Sequence, residues 1–114
     1  MARLSIRIDL GQDVRLGPGK VTLLDAIARH GSISAAGRAL KMSYKRAWDL
    51  VAELNESFGS PVVVAQGGGR QGGGARLTPL GEKIVALYRS VERDAESAVG
   101  GHLGALDALV DPQP

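Results

Sequence analysis

The sequence predicts an α+β domain: three short helices, a β-hairpin and one long closing helix. Three observations predict it. Apolar residues recur at helical steps in three successive segments between Lys20 and Phe58, the last two joined by only Lys41-Met42-Ser43. A β-branched run and a second short strand bracket six glycines in the eight residues 67–74. Beyond Thr78-Pro79 an apolar stripe continues at helical spacing to about Val99. Recurrence at three and four residues marks one face of a helix, and alternation marks a strand.

Taken in order, residues 3–10 alternate strictly, with Leu4, Ile6, Ile8 and Leu10 opposite Arg3, Ser5, Arg7 and Asp9. They are expected to form a half-buried strand, paired either with the later hairpin or with a second copy of the chain. After Gly17-Pro18-Gly19 a helix is expected from about Lys20 to His30, burying Val21, Leu24, Ile27 and Ala28 and closed by Gly31. A short second helix, Ala35 to Leu40, has Ser34 as its expected N-cap, with Ala36, Ala39 and Leu40 inward. The three-residue connection that follows has the length that joins the helices of a helix-turn-helix.

The third helix carries the functional signal. Ser43 stands at its N-cap position. Ala47, Leu50, Val51, Leu54 and Phe58 lie along one side, Lys45, Asp49, Ala52 and Glu56 along the other, and Arg46 at the edge. Such a helix is apolar inward and offers two cations and two hydroxyls, those of Ser43 and Tyr44, at its exposed start. That is what a helix needs to lie in a DNA major groove with its N-terminal end toward bases and phosphates. Which of Lys45 and Arg46 reads a base is open. Trp48 is expected in the core, and Tyr44 either there or with its hydroxyl on a phosphate.

The strands expected at Val62–Gln66 and Ala75–Thr78 make the hairpin a wing, so the fold is a winged helix-turn-helix with an N-terminal strand. Arg70 at the glycine-rich tip and Arg76 beside it are candidates for the phosphate backbone, as is Ser34 on the supporting helix. Thr78 is the expected cap of the last helix, with Pro79 at its tolerated first position. Its stripe, Leu80, Ile84, Leu87, Val91, Ala95 and Ala98, is longer than the rest of the domain can cover. A second copy of the same helix is the expected partner, through Leu80, Ile84, Leu87, Val91 and Ala95.

Composition narrows the function classes. At 114 residues the chain holds one modest core, with residues 1–99 as the domain and residues 100–114 as an acidic tail. The first 93 residues carry all 14 cations against 8 acids, a balance of +6, and the last 21 carry four acids and no cation. A basic body suits a polyanionic partner. The absence of cysteine excludes disulfides and thiolate metal sites and suits a reducing cytoplasm. No apolar run is long enough for a membrane. Gly67-x-Gly69-x-x-Gly72, with Glu92 twenty residues on, fits a dinucleotide fingerprint, but a strand follows where that motif needs a helix. His30 and His102 have no ligand-spaced neighbours, and no nucleophile, base and orienting group form a motif. No metal, cofactor or catalysis is expected.

At Gly31-Ser32-Ile33-Ser34, at Ser43-Tyr44-Lys45-Arg46-Ala47-Trp48-Asp49 and at the hairpin ending in Leu77-Thr78-Pro79-Leu80-Gly81, the chain resembles the DNA-binding domain of ModE-type molybdenum-dependent transcriptional regulators, relatives of the LysR-type helix-turn-helix. The resemblance covers about residues 3–99. It implies a dimer on a palindromic site in double-stranded DNA and a link to molybdenum-dependent gene control. The molybdate-binding part of that family has no counterpart before Pro114. Either a separate protein senses molybdate, or the chain reads DNA without an effector, or the sequence is a fragment; its start and its Pro112-Gln113-Pro114 ending favour a complete short protein. The alternative is a winged-helix protein-interaction module that acts with another regulator, through the acidic tail and Leu103–Val110.

Overall fold

A computed structural model describes residues 1–11, 13–69 and 72–110, with the backbone alone at 67–69 and 72–73. In chain order the elements are β1 (Ile8–Asp9), β2 (Arg15–Leu16), α1 (Pro18–His30), α2 (Ile33–Ala39), α3 (Tyr44–Phe58), β3 (Val63–Gly69), β4 (Gly72–Leu77) and α4 (Pro79–Val110). The strands form two separate antiparallel hairpins, β1–β2 and β3–β4.

The N-terminal strand is shorter than its alternation predicts. Only Ile8 and Asp9 join a ladder, opposite Leu16 and Arg15 of the same chain, so the partner of this pair is β2 and not the wing. Leu10 starts the turn, donating its amide to the Val14 carbonyl at 2.8 Å, and is 43% exposed. Upstream, Leu4 and Ile6 are half-buried while Arg3, Ser5 and Arg7 face water, as the alternation predicts. Side chains of α4 replace the missing ladder: the Ala2 amide donates to Asp107 Oδ2 at 2.7 Å and the Tyr88 hydroxyl to the Ile6 carbonyl at 2.5 Å.

Helix α1 is the central element and packs on α2, α3, α4 and β4. With neighbours on so many sides its buried face is wider than one stripe: Val21, Leu23, Leu24, Ala26 and Ile27 are inside, and Ala28, expected inward, is exposed. It starts at Pro18, two residues before Lys20, and ends at Gly31 in the left-handed region, φ 76°. That region costs an L side chain and not glycine.

Helix α2 starts earlier than expected because Ser32, not Ser34, is its cap; Ser32 Oγ accepts the Ala35 amide at 3.0 Å. The shift turns Ile33, Ala36 and Gly37 inward, leaving Leu40 half-buried and Ala39 exposed. Gly37 lets the two helices of the turn approach: a Cβ there would stand 3.4 Å from the Met42 carbonyl and 3.6 Å from Ala47 Cβ. Helix α3 follows the expectation. Ser43 Oγ accepts the Arg46 amide at 3.0 Å, and Ala47, Leu50, Val51 and Leu54 are buried.

In the wing, β3 and β4 pair from Val63↔Leu77 to Gln66↔Gly74, with an irregularity before Gly69↔Gly72. The ladder extends into the glycines, whose backbones pair without side chains. The wing root is tied down on both sides: the Val62 amide donates to Asn55 Oδ1 at 2.8 Å and the Ala75 amide to the Gly31 carbonyl at 2.8 Å.

Thr78 caps α4 as expected, its Oγ1 accepting the Gly81 amide at 3.0 Å. The helix does not stop near Val99; it passes Gly100-Gly101 and ends at Val110. Its first turns complete the core through Gly81, Ile84 and Tyr88. Arg89 fastens it to α1, donating to Asp25 Oδ2 at 2.6 and 3.1 Å and to Glu92 Oε1 at 2.7 Å. Those bonds to Glu92 and then Asp25 raise the guanidinium's pKa. Burial, with Glu92 nearby, pushes the Tyr88 phenol above its ordinary 10.0.

Candidate nucleic-acid interface

The exposed surface of the third helix is where the predicted contacts converge. Ser43, Tyr44, Lys45 and Arg46 are all exposed at its start. No acidic residue stands in its first turn, so the positive end of the helix dipole is not offset there. Lys45 Nζ reaches Asp49 Oδ2 at 2.9 Å, one turn on, with its side chain 84% exposed. An exposed pair of this kind contributes little and is readily exchanged for a phosphate. Among the described residues Arg46 has no carboxylate partner.

Trp48 is not in the core. It is 43% exposed, because the buried arc of α3 runs through 47, 50, 51 and 54 and position 48 lies beyond its edge. Its indole N–H finds a partner on the surface, donating to the Tyr44 hydroxyl, and the two rings meet edge to face at 6.4 Å. Tyr44 is 55% exposed, which leaves it outside the core as well. The pair walls a groove of about 420 Å³ between α3 and the wing root, completed by Ile33, Ser34, Asn55, Val64 and Ala75 among others.

Ser34 lies within the first turn of α2, its Oγ accepting from Arg38 Nη1 at 3.2 Å, and faces this groove. Arg76 is exposed on β4 opposite Val64. Arg70 lies outside the described residues.

The expected dimer stripe divides. Ile84 is 6% exposed in the chain's own core and Leu80 packs against that core. Leu87 and Val91 are 59% and 41% exposed, and Ala95 is half-buried. Tyr88, unremarked in the sequence, is fully buried one residue from Leu87. The signal was its place four residues after Ile84.

On the other flank of α3, Arg7, Arg15 and Lys20 gather with Arg46 and Leu50 around a shallow cleft. None of these first three stands out in the sequence, since each belongs to a different segment. Among the described residues no three His, Cys, Asp or Glu side chains gather as a metal site would require. No helix among them is long and apolar enough to cross a membrane.

A helix-turn-helix with a two-stranded wing and a long closing helix, cationic at the start of its second motif helix, defines a class of DNA-recognition domain. The chain belongs to the bacterial regulatory helix-turn-helix proteins of the lysR family, which it matches over residues 19–82. It is 43% identical over 99 residues to the molybdenum transport protein ModE of Azotobacter vinelandii, an alignment covering 87% of this chain and 36% of that protein. It is 54% identical over 78 residues to the molybdenum-pterin-binding protein MopB of Rhodobacter capsulatus, covering 68% of this chain and 29% of the relative. The chain thus spans about a third of the length of these relatives. Its fold is similar to that of the CbnR_DBD-DNA complex, with a TM-score of 0.59 at 19% identity over 77% of this chain and 95% of that one.

Proposed function

We propose that the chain is a dimeric, sequence-specific DNA-binding transcriptional regulator of the bacterial cytoplasm, linked to molybdenum-dependent gene control. The observation that carries this reading is the exposed, Ser43-capped start of α3, with Lys45 and Arg46 both exposed in its first turn. Two copies would present these helix ends to successive major grooves, about one helical turn or a multiple apart. The wings, with Arg76 and Arg70, would lie on flanking backbone, and Leu87, Val91 and Ala95 of α4 would supply the contact between copies. The molybdenum link rests on the names of the relatives, and a separate molybdate-sensing protein is the proposed source of the signal.

The test is selection of random duplex DNA by the purified protein, with and without molybdate. Enrichment of a two-fold symmetric site in both conditions supports a dimeric regulator informed by another protein. Enrichment only with molybdate would place an anion site within this chain. Lys45→Ala and Arg46→Ala should each weaken binding to the selected site, by about 1–3 kcal/mol for whichever contacts a base. Unchanged affinity for both would remove α3 from the reading role.

A second reading is supported by the far end of α4, where Leu106, Leu109 and Val110 are 55%, 74% and 82% exposed. In it the domain is an interaction module for another regulator. A partner that requires residues 100–114, with negligible DNA binding at physiological salt, would favour it.

A further inference from the structure

Helix α3 has two unlike flanks, and the proposal above uses only one. Tyr44, Trp48, Val51 and Asn55 face the β3–β4 wing, whereas Arg46 and Leu50 face the N-terminal hairpin. On that second flank Arg7 before β1, Arg15 of β2, Lys20 of α1 and Arg46 of α3 line one cleft, along with Gly17, Gly19 and Leu50. Four cations arrive from four segments, and among the described residues two carboxylates reach them. Asp9 is shared between Arg7 Nε at 3.1 Å and Arg15 Nε at 3.9 Å, and Glu53 meets Lys20 Nζ at 3.4 Å.

The charge is therefore in excess, and at Arg7 and Arg15 it is accessible, whereas the Lys20 side chain is 19% exposed and also donates to the Arg15 carbonyl. The side chains of Arg7 and Arg15 are 62% and 64% exposed, so neither is held for packing. A guanidinium carries five N–H donors in a fork that matches two oxygens of a phosphate. Asp9 engages Arg7 through Nε and Nη2 and Arg15 only at the outer limit of an ion pair, so donors remain on both. Gly17 and Gly19 put no side chain in the way: a Cβ at Gly17 would meet only Arg7 Cγ, at 4.0 Å, and one at Gly19 nothing. Because the cleft is continuous with the cationic start of α3 through Arg46, an extended polyanion fits it better than a single small anion.

We propose that the β1–β2 hairpin is a second backbone clamp, in which Arg7, Arg15 and Lys20, with Arg46, hold phosphates of duplex DNA on the flank of α3 opposite the glycine-rich wing. The clamp rests on the DNA-binding reading above and adds to it a footprint on both sides of the recognition helix. Phosphate contacts position a protein without carrying sequence information. The hairpin therefore sets affinity and register, and the choice of site is left to the exposed start of α3.

The test measures affinity against salt for the full chain on its selected duplex and on an unrelated one. Arg7→Gln and Arg15→Gln should each lower the log–log salt slope by about 0.9 and weaken both duplexes alike, leaving the selected sequence unchanged. Asp9→Asn should do the reverse and bind more tightly, by freeing both guanidiniums, a gain that a folding defect does not produce. Thermal melting of each variant confirms that the domain is intact. If the wild type binds but the double arginine variant keeps its slope and Asp9→Asn is no tighter, the clamp is overturned and the DNA-binding reading stands. A wild type that binds neither duplex overturns the DNA-binding reading and the clamp with it.

Discussion

The two halves of α4 share one continuous backbone and differ in what lies beside them. In the first, Gly81 is pressed against the wing root, Ile84 and Tyr88 enter the core, and Arg89 is locked to Asp25 of α1. In the second no residue is buried, and a Cβ added at Gly100, Gly101 or Gly104 would meet nothing within 4 Å. The same periodic apolar pattern therefore does two jobs. Where the body of the domain is adjacent it is core; where the body ends it is exposed surface, met only at Asp107 by the N-terminus among the described residues.

The contrast is open to direct attack, and the largest effect is expected at Ile84. Ile84→Ala removes a side chain that is 6% exposed and should cost about 2–5 kcal/mol in denaturant unfolding. Leu87→Ala, three residues on and 59% exposed, should leave the unfolding of the monomer within about 0.5 kcal/mol of wild type. If Leu87 contacts a second copy, its loss instead appears as weaker self-association in sedimentation.

Gly81→Ala should destabilise by about 1–3 kcal/mol, because its Cβ would stand 2.3 Å from the Val62 carbonyl. The identical change at Gly104 should stabilise by about 0.5–1 kcal/mol, since alanine is the better helix former and nothing obstructs it. Thermal melts in which the two changes shift stability the same way would abolish the distinction between the halves.

Tyr88→Phe should cost about 1 kcal/mol, by leaving the Ile6 carbonyl without its donor. The same residue has a pH signature. Its folded pKa lies above the ordinary 10.0, so both states keep the proton at lower pH. Above pH 10 the unfolded chain loses the proton first, and stability should fall until the folded pKa is passed. The phenylalanine variant should lack this alkaline loss, read from unfolding at pH 9 and pH 11.

Much of the fold was legible in the sequence because its signals act within a turn or two. Ser43 and Thr78 cap the helices predicted for them, Gly31 takes the left-handed region at the end of α1, and the 47-50-51-54 spacing buries the face of α3 that it describes. The errors fall where two local solutions compete or where distant segments decide. Ser32 and Ser34 could each cap α2, and packing of Ile33 settled the choice in favour of Ser32. Trp48 borders the apolar side of α3 and is expected in the core, yet it lies on the surface with its indole N–H satisfied by Tyr44.

The candidate site divides along the same line. Lys45 and Arg46 could be found from one helix, since cap, period and charge sit together in a few residues. Arg7, Arg15 and Lys20 could not, because each is an ordinary surface cation until the β1–β2 hairpin folds back beside α3.

What the sequence determined by itself was the series of helices, the tight turn between the second and third, the wing and the cationic start of α3, all set by contacts between residues close in the chain. Tertiary structure alone decided that β1 pairs with β2, that Tyr88 reaches back to Ile6, that α4 is core at Ile84 and surface at Leu87, and that four scattered cations share one cleft. Local caps and periods close hydrogen bonds within about four residues. Which face of an element loses its water depends on what the rest of the chain brings against it.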